Sequence, residues 1–324
     1  MDWFGAGDSG PLIVARAIHF AATAITAGSL IFGAVVARPA LRAEEAEARL
    51  FRAQILIVAW LGLAVATVAG VIWFLLQAAV MSGLPLGEAI ESGALSTVLN
   101  QTQFGQVSEI RLALALMLAA CLACDWFPLA KGLALAAAFG LIAAIAWTGH
   151  ASSTFGETGK LHLIADVLHL LAAAAWIGGL VSLVLLLVAA QRHQRFAWAS
   201  LVQAAVRRFS TLGIISVATL LVTGVLNAWI LVGSFQALAV TEYGRLLMLK
   251  IVAFALMLML AATNRLWLTP RLALSGNGPP RPDALRQLIR NSTIEIALGL
   301  TIFAMVGMLG TLHPAIHFYE LSIR

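Results

Sequence analysis

Charged side chains are scarce in this sequence. Asp, Glu, Lys and Arg make up 11% of its 324 residues, whereas a soluble globular domain usually has about 25%. No segment therefore has the polar surface of a soluble catalytic domain, and we do not expect an enzyme. Hydrophobic residues instead make up 61%, and the mean hydropathy is +0.95. The composition predicts a chain whose main solvent is lipid.

Cysteine is also scarce, since the only two are Cys121 and Cys124. Two cysteines three positions apart exclude a disulfide framework. They share one face of a predicted helix near its cytoplasmic end, beside Asp125, so a soft metal exit site is one interpretation. Packing is the more common role of cysteine in a buried helix, and the sequence leaves both readings open.

Long apolar runs dominate what is present. Crossing a hydrocarbon core of roughly 30 Å takes about 20 apolar residues in a helix. Eight stretches meet or nearly meet this requirement, so we predict an all-α polytopic membrane protein. The first is too long for a signal peptide and has no basic residues before it, so we expect it to be retained. The stretches lie near 11–37, 54–81, 108–126, 131–149, 161–190, 208–233, 244–266 and 289–312.

The positions of Lys and Arg predict the orientation of these spans. Fourteen of the 20 basic residues follow the first, third, fifth and seventh spans, and the 82–107 segment contains none. Basic loops stay on the cytoplasmic side of a bacterial inner membrane. We therefore expect both termini on the periplasmic side.

Matching segments in the two halves of the chain predict an internal duplication. A histidine is followed nine residues later by a glycine in the first and fifth spans, and a Thr-x-aromatic-Gly motif precedes the third and seventh. Residues 1–150 and 151–324 are therefore predicted to be two parallel four-helix repeats, related by an axis along the membrane normal. The matching pairs are His19 to Gly28 with His169 to Gly178, Thr102 to Gly105 with Thr241 to Gly244, and Trp147 to His150 with Gly310 to His313.

Six of the seven histidines fall on the outer side in this topology, and only His193 is cytoplasmic. Three ionisable residues, His162, Asp166 and His169, have the spacing i, i+4 and i+7. They therefore share one helix face over about 10 Å of depth, where Asp166 can orient an imidazole toward a metal ion. The predicted metal ligands are His19, His150, His162, Asp166, His169, His313 and His317.

A single histidine in such a place is more often an interfacial or capping residue. The clustering of six on one side, with matching positions in both repeats, favours the metal reading. The pairs His19 with His169 and His150 with His313 are then expected to converge around the repeat axis. Imidazole and carboxylate ligands suit copper, which heads the affinity order of divalent first-row metals.

Several segments of the second half resemble the copper resistance protein D family, most closely near 205–310. This resemblance implies an inner-membrane protein of bacterial copper homeostasis that takes periplasmic copper across the membrane. It also implies a small periplasmic copper-binding partner of the copper resistance protein C type, which we expect to be a separate protein. The segments are Arg208 to Ser210, Thr223-Gly224, Asn227 to Trp229, Thr241 to Leu247, Lys250 and Asn264-Arg265, with looser likeness at Trp147 to Ala151 and His169 to Gly179.

Copper uptake through the outer His and Asp ligands is the leading hypothesis. The sequence has no ATP-binding loop, so transport would depend on an ion gradient or the membrane potential. One alternative is a redox protein with a single haem b held between two histidines and quinone as electron partner. Another is a scaffold that positions a periplasmic copper chaperone without conducting copper.

The topology can be tested with reporter fusions. Because basic loops remain cytoplasmic, we expect fusions at both termini and in 82–107 to report the periplasm, and fusions in 191–207 and 265–288 to report the cytoplasm. A cytoplasmic 82–107 loop would place the histidines on the exit side and contradict uptake.

Overall fold

The computed structural model describes residues 10–40, 45–149, 156–193, 196–273 and 282–317. Within these ranges all regular structure is helical. Eight helices are long and apolar enough to cross a membrane, which confirms the predicted all-α polytopic fold. We number them span 1 to span 8: Gly10–Ala37, Arg49–Ser82, Gln103–Ala123, Pro128–Ala146, Gly156–Arg192, Leu201–Val232, Glu242–Leu272 and Pro282–Leu309.

Short helices and local π-helical turns complete the described structure. The helices that contain spans 2, 5 and 6 begin or end beyond the limits predicted from the sequence. The α-helices are Gly10–Phe32, Arg38–Ala40, Glu45–Ser82, Leu86–Glu91, Ala94–Gln101, Gln103–Ala123, Pro128–Ala146, Gly156–His193, Phe196–Val232, Phe235–Val240, Glu242–Thr263, Thr269–Ala273 and Pro282–Leu309, with π-helical Gly33–Ala37 and Asn264–Leu268 and a 3-10 turn at Ala315–His317.

The Thr-x-aromatic-Gly motifs are helix N-caps. The hydroxyl of Thr102 accepts from the Gly105 N–H at 3.0 Å, and that of Thr241 accepts from the Gly244 N–H at the same distance. Such a hydroxyl satisfies a backbone donor that the first helical turn leaves unpaired. Each glycine is required because a Cβ would collide with the backbone of the short helix before the span. The motif therefore starts spans 3 and 7 in the same way.

Spans 1 and 5 form the centre of the bundle. Span 1 packs against spans 2, 4, 5 and 8, and span 5 packs against spans 1, 4, 6 and 8. The contacts correspond when span 1 is matched with span 5, span 2 with span 6 and span 4 with span 8. For example, span 1 packs against span 2 as span 5 packs against span 6. This is the packing that two parallel repeats would produce, and the boundary between 1–150 and 151–324 stays a prediction.

The two central spans touch through glycine. A Cβ built on Gly28 would lie 2.6 Å from Cα of Gly178, and one built on Gly178 would lie 2.8 Å from Cα of Gly28. Helices in lipid associate through small residues that allow such close backbone approach. The glycines that match in the sequence therefore meet in space.

Adding one methyl group at this crossing should destabilise the protein. In Gly28→Ala the new Cβ has no room, so we expect the protein to lose about 1–3 kcal/mol of stability, as is typical of overpacking. Gly213→Ala is the matched control because nothing lies within 4 Å of its Cβ. It should be neutral or stabilising by up to about 1 kcal/mol, since Ala favours helix over Gly. Thermal unfolding in detergent measures both, and equal midpoints would contradict the close contact.

Candidate functional site

A group of polar side chains bridges spans 5, 6 and 7 inside the second half. Nδ1 of His169 lies 2.9 Å from Oγ1 of Thr223, and Nδ2 of Asn227 donates to Oδ1 of Asp166 at 3.3 Å. The charge of Lys250 acts on both His169 and Asp166. We call these five residues the second-half cluster. Ionisable groups at this depth are costly in lipid and mark functional sites by default.

The hydrogen bonds of Thr223 determine which nitrogen of His169 carries the proton. The Thr223 hydroxyl donates to the Thr219 carbonyl at 2.6 Å, and a hydroxyl has one proton to donate. Its oxygen must therefore accept from His169, so Nδ1 is protonated and Nε2 keeps its lone pair. An imidazole held by Nδ1–H with its Nε2 unprotonated is prepared to bind a metal ion.

Lys250 supplies the positive charge of the cluster. It lies eight residues after Glu242 in span 7 and interacts electrostatically with Asp166. Pairing the ammonium with a carboxylate lowers the cost of placing each in an apolar surrounding. A cation that binds at His169 would compete with Lys250 for this carboxylate.

His19 occupies the matching position in span 1 but has different partners. Its Nδ1 lies 2.8 Å from the carbonyl oxygen of Ala66, so Nδ1–H donates and Nε2 has the lone pair. Arg111 donates to that Nε2. The predicted role of His19 as a metal ligand does not fit this arrangement, because a guanidinium occupies the ligating lone pair.

The two histidines also fail to converge as expected. His19 bonds to spans 2 and 3, whereas His169 bonds to span 6. Each ring is thus directed into its own half of the bundle. A haem held between these two rings would need both lone pairs free, and the one on His19 is engaged.

The charges at matching positions differ between the halves. Arg16 precedes His19 by three residues, as Asp166 precedes His169. Arg111 follows the N-cap Thr102 by nine residues, as Lys250 follows the N-cap Thr241. The second half therefore has one acid and one base where the first half has two bases. The halves share helices and caps but not the chemistry of their polar interiors.

The other predicted ligands are only partly brought together. His162 is buried, Asp166 and His169 on the same face of span 5 are half-buried, and His313 is exposed beyond the end of span 8. The side chain of His317 and all of His150 lie outside the described structure. Within the described ranges no three His, Cys, Asp or Glu side chains form a group that could hold a metal ion. The described histidines of this set therefore do not form a closed coordination shell.

The cysteine pair lies beside an acidic residue that already has a partner. Cys121 is buried and Cys124 is half-buried, and neither forms a disulfide. Arg52 donates from Nε to Oδ2 of Asp125 at 2.8 Å. The carboxylate next to the cysteines is thus neutralised by span 2, and the exit site remains a prediction.

Glu295 is a buried acid that our sequence analysis missed. It is 1% exposed, and Asn264 donates to its Oε1 at 2.6 Å while Asn291 donates to Oδ1 of Asn264 at 2.9 Å. Asn264 begins the π-helical turn of span 7, a feature common at functional sites. A single Glu in the middle of an apolar run was the available signal.

A cavity of about 370 Å³ borders this buried acid between spans 5, 6, 7 and 8. Ser292, also 1% exposed, lines the cavity, and its hydroxyl has no hydrogen-bond partner among the described residues. Trp176 contributes to the wall from span 5. The second half therefore has a second group of buried polar side chains, at a level of span 5 beyond His169 in chain order.

Two family models match the chain. The model of copper resistance protein D covers residues 203–309, and that of the copper resistance protein D-like N-terminal domain covers residues 7–160. The matches confirm the resemblance seen near 205–310 and extend it to the first half.

Three similar proteins are known from bacteria. Inner membrane protein YebZ of Escherichia coli (strain K12) is 29% identical over 307 residues, 93% of this chain and 98% of its own length. Copper resistance protein D of Pseudomonas syringae pv. tomato is 31% identical over 224 residues, 67% and 71% of the two chains. Copper transport protein CutJ of Bacillus subtilis (strain 168) is 38% identical over 128 residues, 39% of this chain but 22% of its own length.

Substitution of Glu295 tests the buried amide and acid network. Glu295→Ala leaves Nδ2 of Asn264 without its acceptor and should cost about 1–3 kcal/mol of stability, whereas Glu295→Gln retains an acceptor oxygen and should cost less. Glu157→Ala is the control, because this exposed carboxylate pairs only with exposed Lys160, and it should change stability by less than about 0.5 kcal/mol. Thermal unfolding in detergent compares the three variants. Equal losses in Glu295→Ala and Glu295→Gln would contradict the hydrogen bond.

Proposed function

This chain belongs to the copper resistance protein D family, and on that basis we propose that it takes up copper from the periplasm across the bacterial inner membrane. The observation that carries the proposal is the unprotonated Nε2 of His169, held beside Asp166 inside the second half. One relative is named a resistance protein and another a transport protein for copper. Their names, together with eight spanning helices, support transport over catalysis.

Capture would begin at the outer end of the second half. The sequence predicts His150, His313 and His317 on the periplasmic side, where we propose that they receive copper from a small copper-binding protein of the copper resistance protein C type. Buried His162 comes next, and Asp166 and His169 follow on the same helix face. The ion would thus descend about 10 Å along span 5 from one ligand to the next.

Lys250 gives this path a means of balancing charge. Its positive charge is opposite to that of Asp166, with which it interacts electrostatically. A monovalent copper ion at His169 and Asp166 would add one positive charge, and release of one proton from Lys250 would restore the original net charge. Uptake of the ion would then be coupled to proton release, which requires no nucleotide.

Glu295 offers the next oxygen ligand inward. Trp176 lines its cavity and follows His169 by seven residues, or about 10 Å along span 5. Ser292 and Asn264 add oxygens at the same level. We therefore place the inner stage of the proposed path at this cavity, between His169 and the cytoplasm.

Removing single ligands should have graded effects on copper uptake. His169→Ala should nearly abolish copper-dependent accumulation, because few other groups can replace a deep ligand. Asp166→Asn should weaken uptake within the roughly 10–100-fold range typical of groups that orient a metal ligand. His162→Ala should be milder, since water or an outer histidine can substitute. The measurement is cellular copper at equal membrane expression of each variant.

His193→Ala is the matched control, because it removes a histidine from the predicted cytoplasmic side and should leave uptake unchanged. Near-normal copper uptake in both His169→Ala and His193→Ala would contradict the proposed path. An optical spectrum of the purified protein tests the haem alternative. A stoichiometric Soret band that disappears in His169→Ala would replace copper transport with a redox function.

A further inference from the structure

Two arginines are buried in the first half without an acidic partner among the residues that the structure describes. Arg16 and Arg111 are each 6% exposed. The ion pairs among the described residues lie elsewhere, and the Nε of both arginines has no hydrogen-bond partner there. Arg16 donates to the Gly310 carbonyl at 2.9 Å and Arg111 donates to His19. These neutral acceptors leave two positive charges uncompensated in an apolar region, which is costly.

Both guanidinium groups pack on the same indole. The central carbon of Arg16 lies 5.4 Å from the Trp73 ring centre, and that of Arg111 lies 4.6 Å from it. The two charges are therefore no more than about 10 Å apart, close enough in an apolar surrounding to repel strongly. Contact with the Trp73 ring offsets the cost of burying these charges only in part. The free energy gained by a cation over an aromatic face is smaller than the free energy lost when an ion leaves water. An anion at this place would stabilise all three side chains.

The cavity beside Arg111 has the form of a binding site for an amphiphile. Its volume is about 500 Å³, it is bounded by spans 1 to 4, and Arg111 and His19 lie on its wall. Most other wall residues are apolar. Three of them, Val71, Leu112 and Leu116, are at least half exposed on the outside of the bundle, so the cavity opens toward the lipid.

The depth of the arginines matches that of a lipid headgroup. Arg16 follows Gly10 by six residues and Arg111 follows Gln103 by eight, which places them about 9 Å and 12 Å from the beginnings of spans 1 and 3. Both spans begin on the same face of the bundle, because Arg111, eight residues into span 3, donates to His19, nine residues into span 1. Basic pockets between spans near the interface are suited to anionic headgroups.

We propose that the first half binds one anionic phospholipid, with its phosphate at Arg111 and an acyl chain in the neighbouring cavity. Arg16, which also packs against Trp73, attracts the phosphate from a greater distance. The matching positions of the second half are Asp166 and Lys250, whose charges are of opposite sign, whereas both charges in the first half are positive. This site is separate from the proposed copper path, and its test involves no copper.

Native mass spectrometry of the purified protein with dioleoylphosphatidylglycerol and dioleoylphosphatidylcholine tests the proposal. One phosphatidylglycerol per chain should be retained in preference to phosphatidylcholine. Arg111→Gln should weaken retention about tenfold or more, as expected for loss of a charged hydrogen bond, and Arg16→Gln should weaken it less. Glu109→Gln should retain the lipid at least as well, because it removes the acidic side chain from the cavity wall.

Arg265→Gln is the matched control for arginine removal. Arg265 donates to Ser210 near the opposite ends of spans 6 and 7. It should change retention by less than about twofold, within the small effect of a distant surface charge. Equal retention of the two lipids by the wild type, or equal losses in Arg265→Gln and Arg111→Gln, would overturn the proposal.

Thermal unfolding distinguishes a ligand site from a merely structural arginine. Without phosphatidylglycerol, Arg111→Gln should unfold at the wild-type midpoint or above it, because an uncompensated buried charge is removed. Phosphatidylglycerol should raise the midpoint of the wild type and not that of Arg111→Gln. A lower midpoint for the variant in both conditions would show that Arg111 only supports His19. Equal stabilisation of the wild type by inorganic phosphate would assign the site to a soluble oxyanion and contradict a lipid.

Discussion

The cost of leaving a charge or hydrogen-bonding group unpaired in hydrocarbon governs this structure. Helices satisfy the backbone, and their side chains must then find partners on neighbouring spans. His169 does so through Thr223 and Asp166 through Asn227 and Lys250. Arg16 and Arg111 differ from these residues, because the groups that accept their hydrogen bonds are neutral. The same physical requirement thus pairs polar groups of the second half with one another and leaves two arginines of the first half without an acidic partner among the described residues.

Two copies of one helical plan can diverge in function without altering their packing. The N-cap threonines, the nine-residue interval from histidine to glycine and the contacts of spans 1 and 5 are alike in both halves. The matching positions that differ in charge, Arg16 with Asp166 and Arg111 with Lys250, belong to the polar interior of each half. Substitution there changes which ligand a half can accept, while the crossing of the central spans is preserved.

The fold was largely predictable from the sequence, whereas the partners inside it were not. Apolar runs of sufficient length predict spans because hydrocarbon thickness fixes their length, and the paired motifs predicted matching segments before spans 3 and 7, which the structure shows to be helix N-caps. The engagement of His19 by Arg111 depends on the rotation of span 3 about its axis, which hydropathy does not determine. Glu295 was missed because its amide partner, Asn264, comes from a different span. The spacing of His162, Asp166 and His169 did predict a shared helix face, since a single helix fixes it.

The glycine contact between spans 1 and 5 also restricts how the halves can move. No side chain lies between Gly28 and Gly178, so the backbones of the two central helices touch where they cross. Neither residue has a side chain that could change rotamer, so the helices cannot come closer there. Any relative motion of the two halves would therefore have to keep this crossing, as a tilt or a slide of one helix on the other.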